Sequence, residues 1–173
     1  MSSMCILQVE DEASEVFLLQ QAFLHAAITN PVQVASDGQM AIDYLSGTGR
    51  FADRTKFPLP GLMLLDLKLP RRSGREVLEW KSSQLALNGI VVIVFTSARY
   101  VGDVSLAYEL GANSFIIKPA DFFQYLEIAQ LLKGWWLRHN QFAPVAELPL
   151  GMAGNPAYFG GVKASASRPQ FEP

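Results

Sequence analysis

Gly61-Leu62-Met63-Leu64-Leu65-Asp66-Leu67-Lys68-Leu69-Pro70 is the stretch on which the fold turns. Four apolar residues, Leu62 to Leu65, run into a single carboxylate at Asp66, and Pro70 closes the segment. A short unbroken apolar run between Gly and Pro punctuation suits a central strand of a parallel sheet, covered on both faces. A charge at the end of such a strand costs free energy unless its surroundings stabilise it. What gathers around Asp66 therefore decides what the chain does.

Working outward toward the N-terminus, Met4–Val9 reads as a strand that ends in the acidic cluster Glu10-Asp11-Glu12. Val16, Leu19, Phe23 and Ile28 fall near helical spacing, with Ser14 and Glu15 supplying an acidic, cap-friendly start and Pro31 a break. Val32–Ala35 is a short strand, and Ser36-Asp37-Gly38 turns into a helix that carries Met40, Ala41, Tyr44 and Leu45 to about Ser46. Positions 47–60 then exceed the usual connection of roughly 2–6 residues. Either this is an extended functional loop or the preceding helix runs on.

Toward the C-terminus, Ser73-Gly74 precede a helix bearing Val77, Leu78, Trp80 and Lys81. Val91–Phe95 is the next buried strand, ending in Thr96-Ser97. Asp103–Leu110 reads as a helix stopped by Gly111, and Asn113–Ile117 as a fifth strand ending in Lys118-Pro119. Asp121 caps a last helix that carries Phe122, Tyr125, Leu126, Ile128, Ala129, Leu132 and Trp136. Five β-α units in alternation imply an α/β, doubly wound, five-stranded parallel sheet with right-handed crossovers. From residue 138 the composition shifts to five prolines and four glycines with few charges. We therefore expect one domain over 1–137 and a Pro/Gly-rich tail over 138–173 with no output domain. That tail is draped or flexible, or its Phe142, Tyr158, Phe159 and Phe171 dock on a partner or neighbouring subunit.

The totals set limits on function. Of the 173 residues, 50% are hydrophobic and 17% charged, which suits a well-filled core and excludes a disordered chain. A net charge of -2 carries no basic face for nucleic acid. Cys5 is the single cysteine, so no intrachain disulfide forms. The N-terminus has no basic region and its apolar patch meets Glu10-Asp11-Glu12 almost at once, unlike a signal peptide, and no apolar run is long enough for a bilayer span. The expectation is a cytoplasmic protein with no membrane and no nucleic-acid partner.

Polar residues fall where such a sheet would use them. Glu10-Asp11, Asp66, Thr96-Ser97 and Lys118 each follow an apolar strand directly. In a doubly wound sheet the carboxyl ends of the strands share one edge, and ligands bind there at the switch point. Clustered carboxylates repel unless a cation joins them, and an all-oxygen ligand set suits Mg²⁺, which keeps several waters. Asp66 would be the nucleophile that forms an aspartyl-phosphate. Thr96 would donate a hydrogen bond to the phosphoryl group, and Lys118 would neutralise another of its oxygens.

With those residues assembled, the chain resembles the receiver domain of two-component response regulators over about Met4 to Leu137. The resemblance rests on Val9-Glu10-Asp11, Leu65-Asp66-Leu67-Lys68-Leu69-Pro70 with Gly74, Thr96-Ser97, and Lys118-Pro119. It implies a flavodoxin-like (βα)5 fold with strand order 2-1-3-4-5. It also implies Asp66 as phosphoacceptor, and Mg²⁺ bound by Asp11, Asp66 and the Lys68 backbone carbonyl with Glu10 assisting. Thr96 and Lys118 contact the phosphoryl group, Thr96 and Phe115 act as the switch pair, and a cis peptide precedes Pro119. Phosphorylation would draw Thr96 inward and let Phe115 rotate, by packing alone because Phe lacks the hydroxyl of Tyr. The long 47–60 segment, the expected lack of an output domain and Trp135-Trp136-Leu137 resemble the small regulators that partner phytochrome-type histidine kinases. The implied partners are a histidine kinase and a second copy, through the face of the last two β-α units.

Two other classes compete. One is a receiver fold used as a phosphorylation-independent scaffold or dimeriser, which the intact acidic triad disfavours. The other is a Mg²⁺-dependent phosphohydrolase, which usually has a second acid two residues after its nucleophile, where this chain has Lys68. Cys5 reads as a small core residue, and His25 and His139 as surface residues. Arg71 and Arg72 read as a solvated turn or a kinase contact. Trp135 and Trp136 split between surface and core.

Overall fold

The computed structural model describes residues 4–98 and 100–142. The chain alternates β1 (Ile6–Val9), α1 (Ala13–His25), β2 (Val32–Ala35), α2 (Gly38–Ser46), β3 (Leu62–Leu65), α3 (Gly74–Ser82), β4 (Val91–Thr96), α4 (Val101–Glu109), β5 (Ser114–Ile117) and α5 (Phe122–Leu132). All strand pairs are parallel, in the order β2-β1-β3-β4-β5. Every residue of β1 and β3 is buried, whereas the edge strands β2 and β5 are mostly half-buried. Helices on both faces exclude water from the middle strands, which is why these read as unbroken apolar runs.

Alternation along each strand divides the core in two. Leu7, Val9, Met63, Leu65, Val92 and Val94 face the layer that holds Tyr44 and Leu45 of α2 and Val77 and Leu78 of α3. Ile6, Leu62, Leu64, Ile93 and Phe95 face Leu19 and Phe23 of α1 and Tyr125 and Ala129 of α5. Phe95 and Tyr125 meet edge to face at 5.6 Å between centroids.

Helix ends follow local chemistry with three departures from the sequence reading. Ser73 and Glu76 form a reciprocal capping box on α3, and Asp37 and Asp121 accept from the backbone N–H groups of Met40 and Gln124. The start of α1 lacks a side-chain cap, and the helix ends at His25, with Ala27 at φ 51°, well before Pro31. Beyond Leu132 the last helix widens into a π-helix over Lys133–His139, which seats Trp136 and Leu137 on the core and leaves Trp135 exposed.

Positions 47–60 are neither a continued helix nor an open loop. A 3-10 turn over Gly49–Phe51 buries Phe51 against Tyr44 and Phe57, with ring centroids 5.1 to 6.2 Å apart. The Arg54 guanidinium donates to the carbonyls of Tyr44, Leu45 and Phe57 at 2.7 to 3.2 Å, closing the C-terminal end of α2. Phe142, which the sequence places in the tail, packs on the α1–α5 side of the core. Tyr158, Phe159 and Phe171 lie outside the described residues.

Candidate phosphoacceptor site

Glu10, Asp66 and Lys118 each sit one residue past a strand, and Thr96 sits at the end of one. The Asp66 N–H donates to the Val9 carbonyl at 3.1 Å, Lys118 N–H to Thr96 at 2.9 Å and Glu10 N–H to Ala35 at 2.9 Å. The ladder thus continues just far enough to fix the backbone beneath all four groups. β1 is the switch point, because its neighbours β2 and β3 lie on opposite sides.

Asp66 is only 4% exposed. Its Oδ1 accepts from the Thr96 hydroxyl at 2.7 Å and from the Lys68 N–H at 3.0 Å, and its Oδ2 from Lys118 Nζ at 2.6 Å. The same ammonium pairs with Glu10 Oε2 at 2.5 Å, and the Lys118 side chain is 7% exposed. Glu10 is buried, and its Oε1 accepts from the Glu12 N–H at 3.2 Å. Asp11 stays exposed, yet one oxygen each from Glu10, Asp11 and Asp66 lie within 4.8 Å of one another.

Electrostatics follow from this crowding. Burial pushes the Glu10 carboxyl above its usual range, although hydrogen bonding and charge from Lys118 pull it back. Burial alone would lower the Lys118 ammonium, but its bonds to Asp66 and Glu10 win and raise it. Three carboxylates against one ammonium leave excess negative charge at a buried rim. Hard oxygen donors with that charge excess fit a divalent cation such as Mg²⁺.

Sequence reasoning placed the main groups but missed several that hold them. Thr96 is already turned onto Asp66, so no inward movement is needed to bring its hydroxyl to the site. Its oxygen also accepts from the Ala98 N–H at 3.2 Å. Ser97 is exposed and outside this network. Phe115 is half-buried, against the α2–α3 side of the core. The peptide before Pro119 is trans, as is every described peptide bond; an X–Pro bond favours trans by about 0.5–1 kcal/mol unless its surroundings override it. A Cβ on Gly74 would sit 2.0 Å from the Asp66 carbonyl oxygen, so only glycine lets α3 start this close to the site. Tyr125, which reads from sequence as a core position of α5, sends its hydroxyl to Glu15 of α1. Its phenol is raised by burial first, then by the bond to Glu15.

Comparison with known proteins adds the family. The response regulator receiver domain family matches residues 6–130. The chain belongs to this family. Among curated relatives of this receiver domain, the probable methanogenesis regulatory protein FilR2 of Methanothrix harundinacea is 34% identical, over 79% of this chain and 85% of its own. Response regulator Rcp1 of Synechocystis is 32% identical, over 76% of this chain and 88% of its own. The phosphorylated cyanobacterial phytochrome response regulator RcpA superposes with a TM-score of 0.76 at 31% identity, over 82% of this chain and 99% of its own. The Mn²⁺-bound form of Rcp1 superposes with a TM-score of 0.74 at 30% identity, over 82% and 99%.

Proposed function

We propose that this receiver takes a phosphoryl group from a histidine kinase onto Asp66 in a Mg²⁺-dependent reaction and signals by protein–protein contact in the cytoplasm. The observation that carries the reading is the buried Asp66 carboxylate, held between Thr96 and Lys118 beside Glu10 and Asp11. A carboxylate oxygen of Asp66 attacks phosphorus, the bond from phosphorus to the kinase histidine nitrogen breaks, and the imidazole leaves with the nitrogen's electron pair. Lys118 and Thr96, now bonded to the carboxylate, are placed to hand over to phosphoryl oxygens as the group arrives. Glu10, Asp11, Asp66 and the Lys68 carbonyl would hold Mg²⁺, which supplies neutralisation of the phosphoryl charge. Hydrolysis of the resulting acyl phosphate resets the site, so the protein turns over only its own phosphoryl group.

The phytochrome response regulator RcpA supports a phytochrome-type kinase as the donor class. Exposed Tyr100, Val101, Tyr108, Ile117 and Phe123 support a homodimer through the face of the last two β-α units. Thr96 and Phe115 are the proposed switch pair, with readout by repacking.

The test is incubation with acetyl phosphate and Mg²⁺, followed by intact-mass measurement. One phosphoryl adduct is expected on the wild type, and none on Asp66→Asn or after chelation. An adduct that persists in Asp66→Asn overturns the assignment. Sedimentation with and without beryllofluoride tests the dimer, which Tyr108→Glu should abolish.

A further inference from the structure

Arg71 and Arg72 have no role in the reaction above, and from sequence they read as a solvated turn or a kinase contact. The structure ties both to α2. Arg71 Nη1 lies 3.5 Å from Asp37 Oδ2, and Arg72 Nε donates to Gln39 Oε1 at 2.9 Å. The partners are themselves fixed. Asp37 accepts from the Met40 N–H at 2.7 Å through its other oxygen, and Gln39 donates to Asp43 at 2.9 Å. The two backbones touch, since a Cβ on Gly38 would fall 2.0 Å from the Arg72 carbonyl oxygen.

The turn so held is strained. The Arg72 N–H donates to the Pro70 carbonyl at 2.7 Å, a three-residue turn with Arg71 at its centre and φ at 64°. A non-glycine residue in that region is strained and persists only where its surroundings impose it. The strained turn lies three residues beyond Lys68, and Pro70 stiffens the chain between them. At its other end the same segment is pinned by the Lys68 N–H on Asp66 Oδ1 and by the Gly74 N–H on the Leu67 carbonyl, both at 3.0 Å.

We propose that Arg71 and Arg72 are positioning residues: by clamping the β3–α3 turn onto the start of α2, they fix the Lys68 peptide and raise the affinity of the acidic site for a divalent cation. This rests on the metal reading given above. The clamp acts as an outer shell, whose loss commonly costs 10–100-fold in metal affinity. Charge alone argues the opposite sign. Removing two cations near an acidic site should tighten a bound cation, so weakening is a signature of geometry.

The experiment is calorimetric titration of the full chain with Mg²⁺ alone. Arg71→Gly/Arg72→Ala deletes both ties, and glycine suits the positive φ, so the fold is retained. Its Mg²⁺ Kd should rise on the order of tenfold. Gly38→Ala wedges the same seam without changing charge and should weaken binding likewise, with melting in EDTA confirming a folded protein. Arg75→Gln removes a cation whose partner is Glu79, outside the clamp, and should not weaken binding. If the wild type binds Mg²⁺, Asp11→Asn does not, and the two clamp variants match the wild type, the clamp is overturned and the metal reading stands. If the wild type does not bind Mg²⁺, both fall.

Discussion

Lys118 is shared between two buried carboxylates, and this sharing makes it the most consequential single side chain at the rim. Replacing it with methionine strands Glu10 and Asp66 without a counter-charge, and breaking such a pair costs about 3–5 kcal/mol. Urea unfolding of Lys118→Met in EDTA should show a loss of that size, and Mg²⁺ should recover part of it. Glu10 gives a pH signature. Its folded pKa lies above 4.5, so its contribution is fully present below 4.5 and is lost as pH rises through the folded value. Stability of the metal-free wild type should therefore fall across that window relative to Glu10→Gln, read by urea midpoints. Lys81 of α3 behaves oppositely. Burial lowers its pKa, and among the described residues no carboxylate pairs with it. The unfolded chain then holds more protons between the lowered value and 10.5, so Lys81's penalty is present at neutral pH and fades as pH rises. Lys81→Met should be more stable than wild type at pH 7 by about 1 kcal/mol, with the gain shrinking toward pH 10.5.

Among the elements, the 47–60 connection departs furthest from its local composition. Its Gly, Pro and charged residues read as a loop, yet Phe51 and Phe57 complete an aromatic cluster with Tyr44, and Arg54 satisfies carbonyls at the end of α2. The contacts that decide this, among them the Tyr44 hydroxyl donating to the Pro58 carbonyl at 2.7 Å, join positions up to 14 residues apart, so no short-range periodicity carries them. Hydrogen bonds from a charged donor to partly buried acceptors contribute about 1.5–3 kcal/mol. Arg54→Ala should lower stability by that amount in urea while leaving Mg²⁺ affinity at wild-type level, since the segment lies away from the acidic rim. The Lys133–His139 π-helix is a second example. Trp135 and Trp136 are adjacent apolar residues, and only the helical phase at that point decides which one meets the core.

For the molecule as a whole, the proposed cation binding would be linked to folding, because the three carboxylates converge only when β1 and β3 are paired. A ligand at 100 times its Kd stabilises by about 2.7 kcal/mol. Mg²⁺ at that ratio should raise the melting temperature of the wild type in differential scanning calorimetry, and the rise should vanish in Asp11→Asn. Much of this architecture was legible beforehand. The apolar runs at Ile6–Val9, Leu62–Leu65 and Val91–Phe95 announce strands buried on both faces, and the parallel alternation places Glu10, Asp66, Thr96 and Lys118 at one edge. Period and chain order determine such features, because burial on two faces demands unbroken apolar residues and crossovers have one hand. The tertiary structure alone decided which oxygen meets which donor: that Thr96 already rests on Asp66, that Lys118 serves two acids, and that Arg71 and Arg72 reach Asp37 and Gln39. Those pairings depend on side-chain directions across elements distant in sequence, and hydrogen bonds have a range of about 3 Å. The sequence could place Asp66 at the rim by itself; only close packing set the geometry of what surrounds it.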